Sequence, residues 1–155
     1  MPEAHKTYNS IVAAKYLLAL ANEMGIILNA TQMQKLLFIA YGYVLANEGF
    51  SLCDETPKAW PFGPVFPRVQ KKVTTDKVII LSDPDLSEIK MDQYVTKLFT
   101  DVISKYHKFS ASQLSNWSHM KDSPWEKTTK MEGFKWNQYI PDEYITSYFL
   151  DFDVR

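Results

Sequence analysis

Ser118, His119 and Asp122 are the residue types of a nucleophilic hydrolase, in which a histidine takes the serine proton and an acid orients the ring. Here all three fall within five residues at one helix end. Successive side chains on a helix point about 100° apart, so a serine and the histidine beside it do not face each other. No G-x-S-x-G turn surrounds Ser118. The expected role of His119 is to close its own helix by hydrogen-bonding a free carbonyl. A metal would have to draw on Cys53, His5, His107 and His119, and no two of these share a C-x₂-C or H-x₃-H spacing. The five glycines are scattered singly, so no phosphate-cradling or dinucleotide loop is present. The residues thus point to a protein without catalytic groups, metal ligands or cofactor.

The elements that would position these side chains are mostly helical. Asn9 or Ser10 can cap a first helix through IVAAKYLLALANEM, with Ile11, Ala14, Leu18 and Ala21 on one stripe and Gly25 as the stop. Residues 31–47, TQMQKLLFIAYGYVLAN, follow after a short connection. From Met33 to Ala46 only Gln34 and Lys35 carry charged or amide side chains, so this helix is expected at the buried centre of the domain. Thr31 and Gln34 have capping-box spacing, and Gly49 can end the helix in the left-handed conformation. KAWPFGPVFP, residues 58–67, holds three prolines and three aromatics and cannot be a helix interior. Residues 58–60 are expected to be extended, Pro64 or Pro67 to open a short helix through Lys72, and residues 77–81 (KVIIL) to form a strand pairing near Trp60.

SDPDLSE then leads into a long amphipathic helix, with Met91, Tyr94, Val95, Leu98, Phe99, Val102 and Tyr106 on its dry side. Ser110 with Gln113 and Ser123 with Glu126 give two further capping boxes, Pro124 standing at a first helical position. Pro141, Asp142 and Glu143 start a last helix, YITSYFLDF. The expected fold class is mainly α: one compact helical domain over residues 1–155, with its core at about 10–150, built around a buried central helix with a small two-stranded β element.

The 155 residues and 18.0 kDa suit one domain, and 46% hydrophobic against 23% charged residues suits a globular chain. A net charge of −1 argues against a general nucleic-acid binder. The central helix lacks the polar, basic face that a recognition helix turns to the major groove. It is also too short in apolar residues to span a membrane, which takes roughly 20. One cysteine excludes an internal disulfide and suits a reducing compartment, and MPEAHKTYNS has no apolar leader segment, so a cytoplasmic location is expected. Lys35, lacking a carboxylate four residues away on either side, is expected to be an exposed first-turn lysine ahead of a partner contact. KAWPFGPVFP reads as a rigid turn packed by its own rings ahead of a polyproline docking peptide. Either way, it can present Trp60 and Phe62 at small entropic cost.

Taken together, LLALANEMG (17–25), MQKLLFIAYGYVLA, AWPFGPVFP, and Leu114 to His119 with Asp122-Ser123-Pro124-Trp125 come in the order and spacing of the Panacea domain. The chain therefore resembles SocA-like antitoxins, a family also met in phage-associated proteins, from about Val12 to Phe149. The most specific matches are Gln34, Lys35, Leu36 and Leu37, then Trp60, Gly63, Pro64, Val65 and Pro67, then His119, Pro124 and Trp125. The resemblance implies a non-enzymatic antitoxin that binds and neutralises a cognate protein toxin, usually encoded by an adjacent gene. One member type instead acts as an adaptor delivering its toxin to a Clp-type protease, and a phage-associated regulatory binding protein is a further alternative. Some members carry an added DNA-binding domain, for which this chain has no room. The expected partner surface includes Lys35, Trp60, Phe62 and His119, while Gly63, Pro64, Pro124 and Trp125 are expected to shape the fold.

Overall fold

A computed structural model describes residues 6–152. Among them run seven α-helices and one two-stranded antiparallel sheet. Helix α1 (Ser10–Glu23) starts at Asn9, whose Oδ1 accepts from the amides of Ile11 and Val12 at 2.8 and 3.3 Å. This satisfies two of the donors that a helix start leaves free. Gly25 then reverses the chain at φ 77°.

Helix α2 (Ala30–Glu48) is the centre of the molecule. Every residue from Met33 to Gly42 is buried, and α1, α3 (Pro67–Lys72), α4 (Gln93–Tyr106), α5 (Ala111–Ser118) and α7 (Asp142–Phe149) pack around it. Its capping box lies two residues earlier than the sequence spacing predicts. Asn29 Oδ1 accepts from Gln32 N at 2.8 Å, and Gln32 Oε1 accepts from Asn29 N at 2.9 Å. Gln34 is thereby released for a different task. Its Oε1 accepts from Phe66 N at 2.9 Å and its Nε2 donates to Phe66 O at 3.2 Å, holding the chain that enters α3. At Gly42 a Cβ would lie 2.2 Å from the Phe149 ring, so the missing side chain sets how closely α7 approaches. Gly49 ends the helix at φ 75°.

The β element differs from the expected pairing. Strand β1 (Lys58–Trp60) pairs with β2 (Gly63–Val65) across the two-residue turn Pro61-Phe62, and residues 77–81 form no strand. The other flank of β1 is already filled, since Ala59 N donates to Gln138 O and Asn137 N donates to Ala59 O, both at 2.9 Å. Ala59 therefore turns neither backbone group toward Pro64, its opposite residue, and the missing proline N–H costs no ladder bond. With β1 covered on both sides, the apolar residues at 77–81 have no edge to join. Pro67, not Pro64, opens α3.

Two short 3-10 turns, Pro84–Leu86 and Ile89–Met91, stand where a continuous helix start is expected. Asp92 caps α4 and its Oδ1 accepts from Val95 N, which leaves Met91 outside the helix and exposed. The Ser110/Gln113 box at α5 is complete. At α6 (Pro124–Thr129) only half of the expected box forms: Ser123 Oγ accepts from Glu126 N, while Glu126 Oε1 reaches Asp122 N. Among the described residues no helix is long and apolar enough to cross a membrane.

Candidate interaction surface

The β1–β2 hairpin lies over the start of α2 and against the junction of α5 and α6. Two side chains from that junction hold it. His119, the residue after α5, donates from Nε2 to Pro61 O at 3.1 Å, and Trp125 of α6 donates from Nε1 to Trp60 O at 2.7 Å. Their rings meet edge to face at 3.9 Å. His119 thus bonds a carbonyl of the hairpin, where a carbonyl of its own helix was expected. Burial is the main cause holding its pKa below the ordinary value, with the nearby Lys35 charge adding to the shift. The junction is itself closed by Ser123 Oγ, which donates to Ser118 O at 2.8 Å. Trp60 is pinned sideways, its Nε1 donating to Asn137 Oδ1 at 2.9 Å.

The hydrolase arrangement does not form. Ser118 Oγ donates to Ser115 O at 2.8 Å, and Ser118 is buried. Asp122 is an exposed left-handed turn residue at φ 69°. His5 lies outside the described residues, and among the described residues no three His, Cys, Asp or Glu side chains cluster as metal ligands. Cys53 is buried, which raises its thiol to about 12 and leaves it without thiolate character at neutral pH.

Lys35 overturns its expected exposure, with 1% of its surface accessible. It stands on the face of α2 turned to β2 and α5. Placing it inside this helix follows from the helix beginning at Ala30, since residues 33–42 then lie beyond the first turn and are covered by neighbours on all sides. Gly63, at φ 119°, closes over it: a Cβ there would sit 2.9 Å from Lys35 Cε and 2.6 Å from Ser118 Oγ. Only glycine fits.

Of the four residues expected to meet a partner, the structure brings all into one neighbourhood with different exposures. Phe62 is 74% exposed at the hairpin tip, Trp60 and His119 are half-buried, and Lys35 lies beneath them. Three further exposed side chains extend the patch and carry no helical period that would have marked them. Met120 follows His119, Trp136 (52% exposed) lies by Trp125 at 6.2 Å between ring centres, and Tyr139 lies beside β1 with Lys58 Nζ above its ring at 4.7 Å. Exposed aromatics on a rigid support are the composition of interface hot spots.

The family described as "Antitoxin SocA-like, Panacea domain" matches residues 33–126, which run from the first turn of α2 through the hairpin, α3, α4 and α5 to the first half of α6. The chain belongs to this SocA-like antitoxin family. It is similar to Antitoxin SocA of Caulobacter vibrioides (strain NA1000 / CB15N), with 29% identity over 130 residues, covering 73% of this chain and 66% of that protein. The chain thus spans slightly less than two thirds of that relative's length. No solved structure matches the chain.

Proposed function

We propose that this Panacea-domain protein is a single-domain cytoplasmic antitoxin that neutralises a cognate protein toxin by stoichiometric contact, without catalysis. The observation that carries the reading is the aromatic patch around the hairpin: Phe62 stands in solvent on a segment that holds Pro61 and Pro64 and is tied down by His119 and Trp125, and Trp136 and Tyr139 stand exposed beside it on the stretch that leads into α7. Large rings leave water only at a partner's surface, and a pre-ordered support lowers the entropic cost of that step. Membership of an antitoxin family and a relative named as an antitoxin support the same assignment. The partner is expected to be a toxin encoded beside this protein.

The test is co-expression of this protein with the product of the adjacent reading frame, followed by purification through a tag on one chain. A stable complex of fixed stoichiometry is expected, with the partner's level unchanged or raised. A partner whose level falls only while a Clp-type protease is active would replace neutralisation by adaptor-driven degradation. Recovery of neither complex nor degradation would overturn the assignment.

A further inference from the structure

A cleft of about 370 Å³ lies outside the aromatic patch, walled by Ile11 of α1, Val73 after α3 and residues 77–80, with Lys15, Lys72 and Lys77 along it. Residues 77–81 are the KVIIL segment, which has strand composition but no place in the sheet. Its side chains alternate as they do along an extended chain: Val78 and Ile80 are 72% and 59% exposed, whereas Ile79 and Leu81 pack against the core. Its backbone is one-sided. Asn22 of α1 donates from Nδ2 to Ile79 O at 3.2 Å, so the polar edge of that residue turns to the body of the protein. Successive residues of an extended chain present their N–H and C=O groups to opposite edges, so Val78 turns outward. Among the described residues no amide from Lys77 to Leu81 donates a hydrogen bond, and the carbonyls of Lys77 and Val78 accept none. An unpaired extended edge is a template for another strand. The free charge beside it is cationic. Lys15 is neutralised by Asp83 and Asp85 at 3.2 and 2.8 Å, and Asp76 is engaged by the Thr74 side chain and its own amide. Lys71, Lys72 and Lys77 are exposed, and among the described residues none of them has an ion-pair partner.

We propose that this cleft is a second docking site, which takes an extended acidic segment of a partner protein. The segment adds as a strand beside Val78, with apolar side chains on Val78 and Ile80 and carboxylates on Lys72 and Lys77. The unpaired N–H and C=O of Val78 select a peptide backbone as the occupant, because a lipid surface or a small acid does not supply both partners. Exposed Val78 and Ile80 select apolar side chains on alternate residues of that peptide. Lysines without acids select carboxylates. A second copy of the chain is disfavoured, because an isologous contact would bring its own Lys71, Lys72 and Lys77 to the same face. None of the lining residues belongs to the hairpin patch, so this site and the toxin-neutralising surface stand or fall separately.

The cleft is open in the free protein, so it can be probed directly. The probe is the acetylated and amidated heptapeptide Glu-Val-Glu-Ile-Glu-Val-Glu. Its controls are Lys-Val-Lys-Ile-Lys-Val-Lys, with the charge reversed, and Glu-Ser-Glu-Ser-Glu-Ser-Glu, without apolar side chains. NMR at constant ionic strength would follow the amides of residues 72–83 and the methyl groups of Val78 and Ile80. The expected result is a saturable shift of these signals with the probe, at least about tenfold weaker with either control. Two further forms of the probe carry N-methyl groups, one on every glutamate and the other on every apolar residue. A strand offers its amides to its two edges alternately, so only one of the two forms should still bind. Lys72→Glu/Lys77→Glu, both on exposed side chains, should weaken the response at least about tenfold, while Lys121→Glu, on an exposed residue outside the cleft, should leave it unchanged. No saturable response, equal responses to the acidic and basic peptides, equal binding of both N-methylated forms, or an unchanged response in the double variant would overturn the site. Shifts of the same amides with protein concentration alone, accompanied by a doubled mass in sedimentation, would give the face to a second copy. Binding of phosphatidylglycerol vesicles with no response to the peptides would give it to a membrane. Either result would overturn the peptide as its occupant.

Discussion

Lys35 and Phe62 act in opposite ways on the free protein. The Lys35 ammonium is held at about 8 when folded and 10.5 when exposed, so between these values the unfolded chain binds a proton that the folded chain does not. Stability then rises with pH across that window, and below it the full cost of burial is present, about 3 kcal/mol at roughly 1.4 kcal/mol per pK unit. Cys53 and Tyr41, both raised by burial to about 12, contribute in the opposite direction at alkaline pH, so the effect is isolated by a variant. Lys35→Met should be more stable than the parent in urea unfolding at pH 7, and the gap should close as pH rises from 8 toward 10.5. A gap independent of pH would mean that the lysine is not charged and buried as described. Phe62 contributes little to folding because its ring is in water. Phe62→Ala should change stability by no more than about 0.5 kcal/mol yet weaken partner binding at least about tenfold; calorimetry on the parent and variant complexes gives both numbers.

At the scale of elements, the buried central helix, the α5 cap and the acid-led last helix were legible in the sequence because each rests on local chemistry: an unbroken apolar run, a Ser-x-x-Gln box, a proline followed by acids. What was hidden depended on neighbours distant in the chain. Thr31/Gln34 and Asn29/Gln32 have the same spacing, and the contest is decided by Phe66, whose backbone claims Gln34. Residues 77–81 have strand composition, yet residues 137–138 already occupy the far side of β1. Lys35 looked exposed because its cover, Gly63, lies on a different element. Two substitutions check these assignments by thermal unfolding. Asn29→Ala should cost about 1 kcal/mol while Thr31→Ala should be nearly neutral; the reverse order would restore the later cap. Gly42→Ala should cost about 1–3 kcal/mol or more, because its methyl meets the Phe149 ring.

For the whole molecule, the excess of aromatic residues divides into two uses. Tyr41, Phe38, Phe66, Phe99 and Phe149 fill the core around α2, whereas Trp60, Phe62, Trp125, Trp136 and Tyr139 gather at one end, where the hairpin meets the α5–α6 junction. The composition disclosed the surplus, and the proline-rich segment disclosed part of its location. Trp136 and Tyr139 lie in an irregular stretch with no period to mark them, and only the fold brings them to Trp125 and Lys58. The most direct measurement is growth of a bacterial host in which the neighbouring gene is induced with this protein or with its Phe62→Ala/Trp136→Ala variant. Arrest relieved by the parent, with relief lost in a variant that unfolds at the same temperature, is the predicted result. Full relief by the folded variant would contradict the assignment of this surface as the one that neutralises the toxin.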